Sequence, residues 1–251
     1  MIYLDTGKKI LIIGLLGIGL LLLYFFSGNG GWQGDGIPPY TIAEGVVRGE
    51  VYVDGGHGYT GENPYIQYFK LPSGDIKFAR LYVPVWNYKS GNSIRVTVNG
   101  NNLEVRQEPD YSSAWGVGLY CLQINNSLHA GINEVSISPE IPGGGPYGTT
   151  LVAVCENRSR PPVKFWINEG DYALAYTNNK DNVTSTFEGT SPGKNASLYT
   201  MVVAGTEGER DELYFDSTNI GSDVGRSAQG KYFDLFSTSV SLKSTESSLR
   251  F

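Results

Sequence analysis

The chain has 251 residues, of which 40% are hydrophobic and only 18% charged, and its formal net charge is -6. This much apolar material can form packed cores, which excludes a globally disordered protein, and the acidic balance speaks against nucleic-acid binding, because phosphate-binding surfaces need clustered Lys and Arg. The 33 glycines and 17 tyrosines, with alternating Val, Phe and Thr, are typical of all-β proteins built from short strands.

An apolar segment lies near the N-terminus. Lys8 and Lys9 precede an uncharged run over residues 10–26, which as a helix would span about 26 Å, slightly less than a bilayer core of about 30 Å. Basic residues before such a run favour export of the chain beyond it, so we expect the folded part outside the cell or at its surface. Two interpretations of residues 1–27 stay open, a cleaved signal peptide and a retained transmembrane anchor. Residues 28–39, rich in Gly and Pro, are expected to be a flexible linker.

An internal repeat lies beyond the linker. A shift of 117 positions aligns residues 79–103 with residues 196–220 without a gap, and six of the 25 pairs are identical. Both stretches contain an apolar strand, a hairpin with glycine, an alternating strand, a polar turn and an apolar residue. Self-similarity at one long period indicates two copies of one unit. We therefore predict two tandem antiparallel β-sandwich domains, jelly-roll-like, over residues 40–160 and 161–251, after an N-terminal hydrophobic helix.

Each copy is expected to hold about seven short strands with a turn signal roughly every 8–15 residues, a spacing typical of sandwiches rather than of βαβ units. The strands predicted in the first copy cover residues 45–53, 65–71, 77–86, 93–98, 116–124, 132–137 and 149–155. The second copy is expected to lack its last strand, which would leave an unpaired edge. Three explanations stay open: a chain that ends early, a strand donated by another subunit, and closure by the chain itself.

Two cysteines and four glycosylation sequons are compatible with export. Cys121 and Cys155 lie in strand-like runs, and in an oxidising compartment the pair favours one disulfide, which would close a loop of about 35 residues and contribute roughly 4 kcal/mol. The alternative is two buried free thiols. The Asn-x-Ser/Thr sequons are candidate N-glycosylation sites at Asn125, Asn157, Asn182 and Asn195. Their number is only slightly above what chance predicts.

Catalytic chemistry has little support in the sequence. The two histidines, His57 and His129, lie in turn-like segments without a nucleophile motif beside them. No Cys/His spacing fits zinc, and the acidic stretch at residues 207–212 falls where the repeat places a solvated hairpin. Glu169 and Asp171 are close in sequence, but a glycosidase pair is recognised by its spatial separation. We therefore predict no catalytic residue, no metal and no cofactor.

Four aromatic residues are the candidate ligand-binding side chains. Trp86 and Tyr88 flank a predicted turn, and Tyr111 and Trp115 lie in a polar loop before a strand. Sugar rings stack on the faces of Trp and Tyr, so convergence of these four on one face would make a carbohydrate site. The alternative is that they are core or strand-end residues, which the aromatic enrichment of sandwiches already explains.

Two resemblances extend these patterns. The stretches ARLYV, VTVNG and GINEVSI resemble the jelly-roll pattern of galactose-binding-like domains, in which an Asn-Gly hairpin joins two strands and a G-x-N turn precedes another. Residues 40–240 resemble an uncharacterised, domain-of-unknown-function family of extracellular domains from methanogenic archaeal surface proteins. ARLYVPVW, GTTLVAVCEN, PPVKFWINEGDYALAY, NASLYTMVVAG and DELYFDSTNIG carry this resemblance. It implies a secreted or surface-anchored architecture and supplies no activity.

The sequence as a whole favours an exported, non-enzymatic cell-surface protein with a structural or adhesive role. Its expected partners are itself, other surface proteins or glycans, without nucleic acid, and the membrane if the N-terminal segment is not cleaved. A non-catalytic carbohydrate-binding module is the alternative. An exported hydrolase is a third hypothesis, which needs His57 within hydrogen-bond reach of a nucleophile.

Overall fold

Antiparallel strands make up nearly all regular structure in the computed structural model, which describes residues 36–113, 116–174, 182–209 and 211–251. The predicted all-β class is confirmed. The predicted N-terminal hydrophobic helix lies outside the described residues. Among the residues that are described, none forms a helix with the length and apolarity needed to span a bilayer.

Short extended segments succeed one another through the described residues. A single turn of 3₁₀ helix, Asn125–Ser127, interrupts them. The strands in chain order are β1 (Gly36–Gly55), β2 (Tyr65–Leu71), β3 (Asp75–Trp86), β4 (Ser93–Val98), β5 (Asn101–Asn102), β6 (Tyr111–Ser112), β7 (Gly118–Gln123), β8 (Gly131–Glu140), β9 (Gly145–Pro146), β10 (Thr150–Glu156), β11 (Pro162–Tyr172), β12 (Thr184–Glu188), β13 (Asn195–Val203), β14 (Glu212–Phe215), β15 (Thr218–Ser222), β16 (Phe233–Ser241) and β17 (Glu246–Arg250).

The first sandwich pairs a seven-stranded main sheet with a four-stranded facing sheet. The main sheet has the order β11-β1-β10-β3-β7-β6, with β9 beside β3, and the facing sheet has the order β2-β8-β4-β5. Strict alternation explains the core between them: on β4, Ile94, Val96 and Val98 are buried while Arg95 is exposed, because successive side chains of a strand point to opposite faces. Phe69 and Leu81 are among the fully buried side chains of this core.

The second half of the chain forms a smaller pair of sheets. One has the order β12-β17-β14-β15 and the other contains β13 and β16. Their shared core includes Leu198, Phe215 and Val240. The predicted domain boundary after residue 160 falls in the turn between β10 and β11, and β1 pairs with both of these strands. The main sheet therefore contains strands from both sides of that boundary.

The two halves share a hairpin at matching positions of the repeat. Asn99 follows β4 and Asp216 follows β14, and their φ angles are 52° and 51°. The backbone N–H of Asn99 donates to Glu134 O, and that of Asp216 donates to Ser248 O. In return, the Oδ1 atom of each accepts the N–H of Glu134 or Ser248. This double contact makes β17 the counterpart of β8, so the sheet order β12-β17-β14-β15 repeats the order β2-β8-β4-β5.

Side chains cover the open side of β2, the end strand of the facing sheet. The ring Nε2 of His57 lies 3.1 Å from the carbonyl oxygen of Ile66, and the side-chain amide of Gln67 donates to the carbonyl oxygen of Tyr68 at 3.0 Å. These contacts occupy backbone groups that a further strand would need.

Candidate functional site

A cleft of about 740 Å³ lies beside β7. One wall is a two-stranded ribbon, formed by residues 36–44 of β1 and residues 166–172 of β11, which reaches β6. Register shifts between Ile37/Tyr40 and Thr41/Ala43 interrupt the pairing of the ribbon, and such bulges bend a strand pair. Residues between β5 and β6, among them Leu103 and Asp110, also line the cleft.

An ion pair fixes the ribbon to the main sheet. Nε and Nη2 of Arg80 on β3 each donate to a carboxylate oxygen of Glu169 on β11, both at 2.8 Å. Tyr111 Oη donates to Glu169 Oε1 at 3.1 Å, and the hydroxyls of Tyr40 and Tyr111 are 3.0 Å apart. Glu169 is only 4% exposed, whereas Tyr40 is 51% exposed. The network therefore runs from a buried carboxylate to a solvent-facing tyrosine at the rim.

Two further groups lie close to this buried carboxylate. Burial raises the pKa of the Tyr82 hydroxyl and of the Cys121 thiol well above their usual values, and the negative charge of Glu169 raises both pKa values further. Both groups consequently stay protonated at neutral pH. Because the thiolate is the reactive form of cysteine, Cys121 has no nucleophilic character in this environment.

The remaining lining of the cleft combines charged and apolar groups. Arg106 Nη1 lies 3.7 Å from Asp110 Oδ1, and Asp110 Oδ2 accepts the backbone N–H of Cys121 at 2.8 Å. The side chains of Ile42, Leu103 and Leu122 add apolar surface, and Glu104 and Gln123 add polar surface. The cleft thus presents oriented polar groups next to an apolar strip.

The four predicted aromatic residues occupy different environments. Tyr111 lines the cleft, whereas neither Trp86 nor Tyr88 does. Trp86 contacts the ring of Tyr59 edge-to-face at 5.8 Å between centroids, and Tyr88 packs against the core of the first sandwich. Trp115 lies outside the described residues. The structure therefore does not bring Trp86 or Tyr88 to the cleft that contains Tyr111.

Sequence reasoning missed Tyr40 and Arg80 as site residues and weighed Glu169 only as half of a glycosidase pair. β1 begins at Gly36, so residues 36–39, predicted as linker, are strand and lead directly into Tyr40. The available signal was a charge on a strand face that is otherwise apolar or aromatic near it: Arg80 lies between Phe78 and Tyr82 on one face of β3, and Glu169 shares its strand face with the buried Ile167.

The predicted disulfide between Cys121 and Cys155 is wrong, because both cysteines are free and buried. Cys121 lies on β7 and Cys155 on β10, and β3 runs between these two strands. Cys121 pairs with Tyr82 of β3 and Cys155 pairs with Ile76, six residues further along the same strand. At about 3.3 Å per residue the two Cα atoms are therefore at least about 20 Å apart, far beyond the limit of about 7 Å for a disulfide. The alternative, two buried free thiols, is what the structure contains.

The sequons differ in their surroundings. Asn125 joins the 3₁₀ turn to β3, because its Nδ2 donates to Lys77 O and its Oδ1 accepts the N–H of Ala79. Asn157 is half-buried in the turn between β10 and β11, whereas Asn182 and Asn195 are exposed.

His57 and the acidic residues 207–212, for which the sequence predicts neither catalysis nor metal binding, make the following contacts. The ring nitrogens of His57 lie 3.0 Å and 3.1 Å from the carbonyl oxygens of Gly58 and Ile66, and the ring stacks on Tyr65. In residues 207–212, of which residue 210 is not described, Asp211 Oδ2 accepts the backbone N–H of Gly225. Within the described ranges, no group of three or more His, Cys, Asp or Glu side chains could hold a metal ion.

Comparison with known proteins identifies a family. No curated protein matches the chain. Among solved structures, the crystal structure of Streptomyces avermitilis alpha-L-rhamnosidase complexed with L-rhamnose is similar at 14% identity and a TM-score of 0.25, over 78% of this chain and 23% of that chain. The chain thus spans about a quarter of the length of that enzyme. The family model described as "Protein of unknown function (DUF3344)" matches residues 31–251, and the chain therefore belongs to this uncharacterised domain family.

Proposed function

We propose that the chain is an exported, surface-displayed binding protein without catalysis, and that its cleft beside β7 holds a carbohydrate. The observation that carries the proposal is the hydrogen-bonded series of Tyr40, Tyr111, Glu169 and Arg80 along one side of that cleft. Its role would be adhesive, through glycans of the envelope or of neighbouring cells.

The size and lining of the cleft support a sugar as the ligand. Small-molecule sites typically have volumes of about 300–1,000 Å³ and combine apolar surface with a few placed polar groups. The cleft of about 740 Å³ falls within this range. A sugar ring offers hydroxyls to groups such as the Tyr40 and Tyr111 hydroxyls, and its C–H face can lie against Ile42 or Leu103. The half-exposed ring of Tyr40 is available for stacking.

The carboxylate in the network supports binding rather than hydrolysis. Both oxygens of Glu169 accept hydrogen bonds from Arg80, and one also accepts the Tyr111 hydroxyl. A glycosidase needs two carboxyl groups that flank the scissile bond and exchange protons with it. Asp171, the second carboxylate considered, is not among the residues that line the cleft. Asp110, which does line it, accepts the backbone N–H of Cys121. Export is supported by the apolar residues 10–26 that follow Lys8 and Lys9.

The test is a binding screen of the full chain against a panel of oligosaccharides, followed by titration of the best ligand. We expect Tyr40→Ala to weaken binding by about tenfold or more, since a stacked and hydrogen-bonded ring contributes more than about 1.4 kcal/mol. Tyr40→Phe, which keeps the ring, should lose less affinity.

Tyr68→Ala is the matched control, because Tyr68 is 56% exposed and lies on the facing sheet rather than in the cleft. It should bind like the unmodified chain. Absence of binding across the panel, or equal affinity of the Tyr40→Ala and Tyr68→Ala chains, would overturn the proposed function.

A further inference from the structure

The internal repeat equates the strands of the two sandwiches one by one. The order β12-β17-β14-β15 matches β2-β8-β4-β5, and the pair β13-β16 matches the pair β3-β7 of the main sheet. The 117-residue shift places Leu198 of β13 on Leu81 of β3 and Tyr199 on Tyr82. The second sandwich is therefore built from counterparts of β2, β3, β4, β5, β7 and β8.

β10, the strand beside β3 in the first sandwich, has no counterpart among the described strands of the second. In the first half, β3 pairs with β7 on one side and with β10 on the other. In the second half, β13 pairs with β16, and among the described strands no other is paired with β13. The vacant side of β13 corresponds to the side of β3 that β10 occupies.

The register between β13 and β16 identifies which residues of β13 direct their backbone groups to the vacant side. Leu242 N–H donates to Lys194 O, and Ala204 N–H donates to Tyr232 O. The backbone N–H and C=O groups of the even-numbered residues of β13 are therefore directed towards β16. The register of β13 and β16 has no shift between Asn195 and Val203. Because neighbouring residues of a strand direct their N–H and C=O groups to opposite sides, the groups of Ser197 and Tyr199 face the vacant side.

Residues 195–199 of β13 lie at the surface of the molecule. The side chains of Asn195 and Ser197 are exposed, and Tyr199 is 44% exposed. Nearer its C-terminal end, Met201 contacts Thr150 of the main sheet at 3.3 Å, which leaves the N-terminal part of β13 as the open part. This stretch differs from β2, whose open side is covered by the His57 and Gln67 side chains.

We propose that the open edge of β13, at residues 195–199, accepts an extended segment of a partner polypeptide as an additional antiparallel strand. The inference goes beyond carbohydrate binding, because it concerns another surface and another class of partner. Main-chain hydrogen bonds to Ser197 and Tyr199 would supply affinity, as in other cases of β-strand addition.

The repeat also predicts the chemistry of the occupant. β10, which fills the equivalent place, has the sequence TLVAVCE, and its Leu151, Ala153 and Cys155 side chains point into the first core. An incoming strand should likewise alternate, with apolar residues placed towards Leu198 and the half-buried Ala196. β10 of a second copy is an unsuitable donor, because it is already paired on both sides.

The test uses the full chain and a synthetic peptide of residues 148–157 that carries Cys155→Ser and a fluorescent label. We expect saturable binding of one peptide per chain. Ser197→Pro should weaken this binding by about tenfold or more, because proline removes the N–H that faces the vacant side and places its ring there, while the β16 ladder keeps all its donors. Ser197→Ala keeps the N–H and should bind like the unmodified chain.

A second arm varies the peptide and does not depend on how the Ser197→Pro chain folds. In β10, Val152 pairs with Arg80, a position of β3 whose backbone groups face β10. A peptide with Val152→Pro should therefore lose binding by a similar factor. The proposal is overturned if the unmodified peptide does not bind, or if the proline peptide binds equally well. Carbohydrate affinity, measured on the same preparation, tests the cleft separately.

Discussion

The buried carboxyl group of Asp171 should make stability depend on pH. Its Oδ2 atom is buried without a hydrogen-bond partner among the described residues, and burial raises its pKa to about 7. The folded chain therefore retains a proton that the unfolded chain releases near pH 4. Ionisation opposes folding progressively as the pH rises from about 4 to about 7, and the whole penalty is present above pH 7.

We expect the Asp171→Asn chain to be more stable than the unmodified chain at pH 8 by about 4 kcal/mol, and nearly equal to it near pH 4, since one pKa unit corresponds to about 1.4 kcal/mol. Urea unfolding at both pH values measures this difference. Asp75→Asn is the control, because the side chain of Asp75 is 81% exposed. A stability gain for Asp171→Asn that is the same at both pH values would contradict the assignment.

At the level of elements, the Arg80–Glu169 pair should be the main attachment of the ribbon to the main sheet. The two side chains are only 20% and 2% exposed. Arg80→Ala would leave the Glu169 carboxylate buried without its counter-charge, and we expect it to lower the free energy of unfolding by about 3–5 kcal/mol. Thermal and urea unfolding measure the loss.

Arg95→Ala provides the comparison, because the Arg95–Glu140 pair has side chains 63% and 52% exposed and should contribute less than about 1 kcal/mol. Adding Glu169→Gln to Arg80→Ala should restore part of the lost stability, since it removes the buried charge. Equal losses for Arg80→Ala and Arg95→Ala would show that the ribbon is held by other contacts.

The hairpins were predictable from the sequence, whereas the ribbon was not. Asn99 and Asp216 lie at equal positions of the repeat, so a local pattern of turn residues located both hairpins. The pairing of Tyr40 with Glu169 joins residues far apart in sequence, and no repeat relates β1 to β11. The site depends on this long-range pairing. For that reason the sequence identifies Tyr111 as a candidate ligand-binding residue, whereas nothing in it singles out Tyr40, the first residue after the predicted linker.

At the level of the whole molecule, contacts between the two sandwiches should make them unfold together. The described residues from 36 to 251 group as one compact unit. Phe233 of β16 is fully buried and lies against Gly55 and Gly148 of the first half. The backbone N–H of Tyr59 donates to Lys231 O at 2.8 Å. These shared contacts couple the stability of one half to that of the other.

We therefore expect a single cooperative transition in calorimetry. Phe233→Ala should lower the midpoint of that transition as a whole, with a loss of about 3–5 kcal/mol, because it leaves a cavity between the two halves. Two resolved transitions for the unmodified chain would mean that the halves are energetically independent, as tandem domains without shared contacts would be.

The covered edge of β2 affects how copies of the protein meet at high concentration. Proteins concentrated at a surface meet one another constantly, and a strand end that exposes free backbone groups invites polymerisation. On β2, the His57 and Gln67 side chains already satisfy carbonyl groups that a neighbouring molecule would seek. Two molecules cannot fuse their sheets through this strand without first displacing those side chains. Close contact between copies therefore does not by itself join them through β2.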